Sequence, residues 1–487
     1  MARSSRTTTG TDRRAGQNRQ SGAGPMGGTD PRAGQSRQSG AGPMGGTDWQ
    51  AGRSEPRSDI SDTGLALAGQ PGIAWAGRAM PVLGMLRSTF AQDQPFAGLT
   101  IGCCLHVTAE TAVLVRVLTA GGARVHIAAS NPLSTQDDIA AALAAEDGIT
   151  VQARSGVDRE TYYDHIHRVL DARPDLVMDD GGDLVNTLHE ERAELISGVR
   201  GGCEATSSGA ARLRQMVAAG SLGFPMVAAD ASATRRMIDH KYGTGQSVLD
   251  GILRATNTLV AGKTVVVAGF GPCGSGIAER ARGLGAQVII TEVDPVRALA
   301  AIMQGYRVLP MAAAAPLGEL LITATGSQDV IGARELAMLP DGAILANAGH
   351  FDVEIDVRTL ADLAEDVHPA IRPHADEYVL ADGRRLILLA EGRVVNLVAA
   401  EGNPAAVMDT SFAVQALALA WLAESAGLAG DEAVGFAGAK PSAGRVLEVP
   451  GAIDAEVATL TLASLGTKID TLTPEQQRYL ESWRQGS

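Results

Sequence analysis

TVVVAGFGPCGSGIAERARGLGAQVIITEVDP, residues 264–295, is the stretch that decides the fold. An apolar run (TVVVAGF, 264–270) leads into Gly269-Phe270-Gly271-Pro272-Cys273-Gly274, a helix-forming segment follows, and a second apolar run (AQVIITE, 286–292) ends on Glu292. Strand, glycine turn, helix and a strand ending on an acid form the dinucleotide-binding βαβ pattern. The glycines let the backbone approach a pyrophosphate, whose charge rests on the positive helix N-terminus. Glu292 can accept hydrogen bonds from the adenosine ribose diol and would repel a 2′-phosphate, so NAD is expected rather than NADP. Gly269, Gly271, Gly274 and Glu292 are thus the first cofactor-binding candidates.

Outward from this unit, further apolar strands are expected at RVLPM (307–311), LLITATG (320–326) and AILANAG (343–349), and a helix at SVLDGILRATNTLV (247–260) precedes it. Before that helix a separate strand and helix series begins. VLGMLRSTF from Val82 reads as its first helix and the start of ordered chain, and LTIGCCL (99–105), ARVHIAA (123–129) and DLVMDD (175–180) read as strands. The fold class expected is α/β, with two doubly wound parallel sheets and a small C-terminal helical segment. The expected boundaries are a tail at 1–58, a substrate domain at 59–243 with 404–440, a Rossmann domain at 244–403 and a C-terminal segment at 441–487. NPAAVMDTSFAVQALALAWLAESAG after Gly402 has a helical apolar period and is expected to pack back on the first domain. Thr473 and Pro474 read as the N-cap and first turn of a final helix.

The chain has 487 residues, 45% of them hydrophobic and only 3% aromatic, which suits cores of Ala, Val, Leu and Ile under parallel sheets. A net charge of −14 argues against nucleic-acid and anionic-membrane partners. Cys103, Cys104, Cys203 and Cys273 form neither a disulfide framework nor a metal knuckle, so a reducing compartment and no metal are expected. No apolar run able to span a bilayer and no signal peptide is expected, which implies a cytoplasmic location. TDRRAGQNRQSGAGPMGG (11–28) recurs as TDPRAGQSRQSGAGPMGG (29–46), a composition expected to stay disordered.

Ligands of open α/β sheets sit beyond the carboxyl ends of strands. LHVTAET (105–111), NPLSTQDD (131–138), MDDGGDLVN (178–186) and AGHFDVEID (348–356) place histidines and carboxylates there, the groups that proton transfer needs.

These segments, with VRGGCEATSSG (199–209), YGTGQSVLDGILRATNTLVAGKTVVVAGFGPCGSGIAERARGLGAQVIITEVDP (242–295) and LAEGRVVNL (389–397), resemble the signature segments of the S-adenosylhomocysteine hydrolase family from about residue 80 onward. YGTGQS and the ending YLESWRQGS are similar to its short-tailed, archaeal-type branch. The resemblance implies an NAD that oxidises the ribose 3′-hydroxyl and acidifies C4′–H. Homocysteine then leaves, water adds at C5′, and NADH reduces the ketone. It implies proton transfer by His106, Asp180 and His350, and 3′-hydroxyl binding by Asp239. It further implies adenine contacts from Thr108 and Glu110, and cofactor contacts from Thr206, Ser207, Ser208, His240, Asn347 and Asn396. A homodimer or homotetramer and a small nucleoside substrate are implied as well.

Four positions depart from the family pattern. Arg235 stands for the lysine that deprotonates the 3′-hydroxyl, and a guanidinium stays protonated where an amine need not. Ala205 stands for a glutamate that binds the 2′-hydroxyl, His240 for an asparagine, and Asn403 for a histidine near the adenine. Three functions fit: hydrolysis of S-adenosylhomocysteine or a close nucleoside thioether, action of the same scaffold on another nucleoside or S-adenosyl compound, and a non-catalytic NAD-binding regulator.

Overall fold

A computed structural model describes residues 57–427 and 444–483. The repeats and their expected disorder lie outside the described residues.

The first strand series is β1 (Thr100–Cys104), β2 (Arg124–Ala128), β3 (Ile149–Gln152), β4 (Leu176–Asp179), β5 (Gly201–Glu204) and β6 (Met226–Ala228). The second is β7 (Thr264–Ala268), β8 (Gln287–Thr291), β9 (Arg307–Val308), β10 (Leu320–Thr323), β11 (Ile344–Asn347), β12 (Ala364–Arg372), β13 (Ala375–Leu380) and β14 (Arg385–Leu389). The last strand is β15 (Val446–Glu448). The first sheet runs β15-β6-β5-β4-β1-β2-β3 and the second β12-β13-β14-β11-β10-β7-β8-β9. Each therefore reverses its winding once, between β1 and β4 and between β7 and β10, which opens a crevice at the carboxyl ends. β12 and β13 pair antiparallel and extend the otherwise parallel second sheet.

Helices cover both faces of each sheet, so successive strand residues enter different cores. Cys103 and Ile101 join one cluster and Cys104 the other, which is why these adjacent thiols remain free. In β7, Val265 and Val267 face one core and Val266 the opposite one.

The structure corrects several expectations. Order starts before Val82: Asp59 bridges to Gln152, and a helix spans Ala66–Arg78 although it contains Pro71. Gly69 there lies so close to the backbone of Asp138 that a Cβ would stand 2.2 Å from its carbonyl oxygen, so packing overrides two helix-breaking residues. The C-terminal segment is not only helical, because β15 pairs parallel with β6 and extends the first sheet. The expectation of no membrane-length apolar run is also corrected: Ala405–Ser425 is long and apolar enough. That helix, Ala405–Gly427, packs against β5 and the helix Pro81–Asp93, and its apolar residues fill the first core. The helix expected to reach Val260 stops at Thr256, where Asn257 turns left-handed.

Candidate active site

A cavity of about 520 Å³ opens where the carboxyl ends of both sheets converge. Its walls include His106, Thr108, Glu110 and Asp180 from the first sheet, and Gly271 and His350 from the second. Ala205, Thr206, Ser207 and Ser208 after β5 line it, as do Arg235, Asp239 and His240 from the segment joining the two sheets. Asn396 and Asn403 complete the predicted residues on its surface.

His106 follows β1, Asp180 follows β4, and His350 follows β11, so three loops remote in sequence bring them together. His106 Nε2 lies 3.5 Å from Asp180 Oδ2, and His350 Nδ1 lies 3.8 Å from Asp180 Oδ1. The other ring nitrogen of His106 meets Ser134 Oγ at 2.7 Å. Burial pushes His106 down to about 4, against the pull of Asp180, so its imidazole is neutral at pH 7. The three ligand-type atoms fall within 4.8 Å of one another, a spacing that also admits a metal ion. Gly181 makes the cluster possible: its φ is +109°, and a Cβ would stand 2.2 Å from His350 Nε2.

Two acids that sequence reading passed over support this turn. Asp179 and Glu204 are register partners on β4 and β5, and both are fully buried. Glu204 Oε1 accepts from Gly181 N, Thr206 N and Thr206 Oγ1 at 3.0, 2.7 and 2.7 Å. Asp179 accepts from Asp180 N and Val185 N at 2.9 and 2.8 Å. Burial pushes both carboxyls upward; the charge of Asp179 adds to the rise at Glu204, and the charges of Asp183 and Asp180 add to the rise at Asp179. The folded state thus holds protons that the unfolded chain releases, and their stabilising contribution is lost as pH rises through the folded-state values. Glu204→Gln is expected to keep stability within about 1 kcal/mol at neutral pH and to flatten its decline toward alkaline pH, because a neutral amide keeps the acceptor. Glu204→Ala orphans three donors and should cost several kcal/mol, at about 1–3 each. Denaturant unfolding across the pH range measures both; equal losses for the two variants would refute the assignment.

The Arg236–Thr244 segment, between the sheets, is wound as a π-helix, a form that concentrates at functional sites. Just before it, Arg235 is buried: its Nε donates to Asp239 Oδ2 at 3.0 Å, and its Nη1 donates to the Ala205 carbonyl. Ser411 Oγ donates to Asp239 Oδ2 at 2.9 Å, and Asn403 Nδ2 donates to Asp239 Oδ1. Burial alone would raise the Asp239 carboxyl, but the Arg235 guanidinium, with His240 and Ser411, holds it below the usual carboxylate range. Asn403 also accepts from Ser247 Oγ at 2.7 Å, and Asn396 Nδ2 donates to that hydroxyl at 3.0 Å. Asn403 therefore ties together the segments that join the two halves as well as facing the cavity. Asp454, from the helix Gly451–Ser464, accepts from Ser232 Oγ and Ala233 N at 2.6 and 2.9 Å and so fixes the chain leading into Arg235. No local signal marks Asp454. Met408 and Phe412, also on the cavity wall, were legible only as one apolar face of their helix.

On the second sheet the three motif glycines divide their work. A Cβ on Gly269 would meet Ala324 O at 2.6 Å and one on Gly274 would meet Gly269 O at 2.0 Å, so these two serve the turn and the helix packing. Gly271 faces open space, its nearest neighbour being Arg297 Nη1 at 3.7 Å, and only it of the three lines the cavity. The helix Pro272–Gly283 starts there and directs its free N–H groups toward that space. Glu292 accepts from the backbone N–H of Phe270, Val293 and Asp294, at 2.7, 2.7 and 2.9 Å, and so shapes the turn itself. Asn347 lies off the cavity wall, fully buried: it donates to Phe351 O and Gly392 O and accepts from Thr323 Oγ1 and Gly349 N. Its amide is spent on bracing the His350 loop, which places it apart from the other predicted cofactor residues. Asn396 Oδ1, by contrast, is buried in the cavity wall without a partner among the described residues, as an acceptor awaiting a carboxamide would be. The open glycine, the helix N-terminus and this orphan acceptor all fit a dinucleotide. Cys273 also lines the cavity, but burial pushes its thiol up to about 12.

Residues 57–197 match the S-adenosyl-L-homocysteine hydrolase family, and residues 240–402 match the NAD binding domain of that hydrolase. The chain is 50% identical over 431 residues to the adenosylhomocysteinase of Thermosynechococcus vestitus, covering 88% of this chain and 97% of the relative. It is 50% identical over 429 residues to the adenosylhomocysteinase of Aquifex aeolicus, covering 88% and 99%. It is also 48% identical over 428 residues to the S-inosyl-L-homocysteine hydrolase of Methanopyrus kandleri, covering 88% and 98%. The chain belongs to the S-adenosyl-L-homocysteine hydrolase family and carries that family's NAD-binding domain.

Proposed function

We propose that this protein hydrolyses S-adenosyl-L-homocysteine, or a close nucleoside thioether, to the nucleoside and homocysteine, with a resident NAD. The observation that carries the reading is the half-buried His106–Asp180–His350 cluster standing on the same cavity as the open Gly271 turn. When bound, NAD supplies a reversible oxidation at ribose C3′, from hydroxyl to carbonyl. His106, neutral at pH 7, can accept a proton from C4′, and Asp180 orients both imidazoles for transfer to the departing sulfur and from the water that replaces it. Thr108, which caps the helix Ala109–Ala120, and Glu110 in its first turn supply hydroxyl and carboxyl groups to the purine. Burial raises the Glu110 carboxyl. Convergence of two sheets walls the cavity on both sides, and exclusion of water from the reacting ribose there would protect the oxidised intermediate.

The test is incubation of the purified protein with S-adenosyl-L-homocysteine and with S-inosyl-L-homocysteine, following free homocysteine and the nucleoside. Release of homocysteine from one of them without net cofactor consumption is expected. Release from neither, with NAD present in the protein, would refute the proposal and favour a different S-nucleosyl substrate on the same scaffold.

A further inference from the structure

Oxidation of a ribose hydroxyl needs a group that takes its proton, and the lysine that the family resemblance puts in that role is Arg235 in this chain. Arg235 is buried, held at one end by Asp239 and at the other by the Ala205 carbonyl. A guanidinium is not deprotonated in proteins, so it can orient an oxygen but cannot act as base. Asp239 already receives Arg235, Ser411 and Asn403, and an acid held ionised by so many donors is a poor proton acceptor. His106 and His350 belong to the Asp180 cluster already assigned to proton transfer at C4′ and C5′. One other imidazole lines the cavity. His240 follows Asp239 directly, is half-buried, and makes no hydrogen bond to any described residue through either ring nitrogen.

We infer that His240 is the base of the redox step, taking the proton of the ribose 3′-hydroxyl while Arg235 and Asp239 form a fixed ion pair beside it. The inference rests on the proposed hydrolase reading. The O–H bond breaks and an N–H bond forms on the imidazole; the C3′ hydrogen leaves with its electron pair to oxidised NAD, and C3′–O becomes a carbonyl. At the end of the cycle the imidazolium would return the proton to the oxygen as the electron pair comes back to C3′ from the reduced cofactor, so neither cofactor nor histidine would be consumed.

The surroundings suit this role. Burial holds the His240 imidazole below its ordinary value, Arg235 and Arg236 push the same way, and Asp239 and Asp230 pull against them. At pH 7 it is therefore neutral, with a lone pair to accept the proton. Three of the four departures then form a set. Ala205 offers no acidic side chain to compete for the guanidinium, Arg235 becomes a permanent cation, and His240 supplies the basicity that lysine would have supplied.

Two measurements test the inference. In single-turnover mixing of holoenzyme with S-adenosyl-L-homocysteine, His240→Asn should slow NADH appearance by about 100-fold or more, with NAD content and substrate affinity nearly unchanged. It should also remove the acid limb of the rate profile. Adding Arg235→Lys to His240→Asn should restore most of the rate, because the amine can then act as base. In the protein without substrate, imidazole NMR assigned by comparison with His240→Asn should show His240 neutral at pH 7. NADH appearing as fast in His240→Asn as in the unsubstituted protein, or a charged His240 imidazole at pH 7, would overturn the inference. If the unsubstituted protein produces no NADH and no homocysteine, the hydrolase reading itself falls, an outcome distinguishable from failure of His240 alone.

Discussion

Asp180→Asn is expected to lower turnover by at least about 100-fold while the protein keeps its fold and its NAD. Asp180 pairs with both His106 and His350, at 3.5 and 3.8 Å. An amide in its place cannot stabilise an imidazolium, and it presents a donor to one of two rings that both need an acceptor. Burial has already driven His106 down to about 4, so with the carboxylate gone the protonated ring has lost the main interaction favouring it. Proton return to the leaving sulfur then becomes the slow step. The backbone N–H of residue 180 still reaches Asp179, so the turn should persist. The measurement is turnover together with exchange of the C4′ hydrogen with solvent deuterium, and both should fall. A turnover within about threefold of the unsubstituted protein would show that Asp180 has no part in the chemistry.

Gly274→Ala should yield a protein without NAD and with a destabilised second sheet, whereas Gly271→Ala should fold normally and lose NAD alone. A Cβ at 274 would lie 2.0 Å from Gly269 O and 2.8 Å from its carbonyl carbon, both backbone atoms that cannot swing aside. The helix Pro272–Gly283 must then retreat from β7, at a cost of about 1–3 kcal/mol or more for such overpacking. Its N-terminal amides move out of reach of a pyrophosphate at the same time. At Gly271 the nearest atom to an added methyl is 3.7 Å away, so only a ligand would feel it. Cofactor extraction and thermal melts separate the two cases. Equal melting temperatures for the two variants would contradict this division of labour.

Much of this was readable along the chain. The glycine turn between apolar runs, the strands from LTIGCCL to AILANAG, and the N-cap at Thr473 are local patterns that form where their residues indicate, except that RVLPM keeps only Arg307–Val308 as strand before a helix starts at Met311. Misreadings arose where packing outweighed local preference. Pro71 and Gly69 disguise a helix that exists because a bare backbone is needed against Asp138. The apolar helix Ala405–Gly427 is built for a protein core, and length and hydropathy alone do not distinguish that from a bilayer. β15 is too short to announce itself and forms because β6 offers an open edge.

What the sequence determined by itself was the pair of α/β sheets, the dinucleotide motif and the stock of histidines and carboxylates at strand ends, because spacing and residue type act over a few neighbours. Only the tertiary structure decided which of those groups work together. Asp239 meets Asn403 and Ser411 across 164 and 172 residues, and Asp454 reaches back 222 residues to Ser232. It also decided their charge: desolvation keeps His106 and His240 neutral and raises Glu204, while the Arg235 ion pair overrides burial at Asp239. Burial and distance are properties of the packed molecule, so the same residues read along a line carry no sign of them.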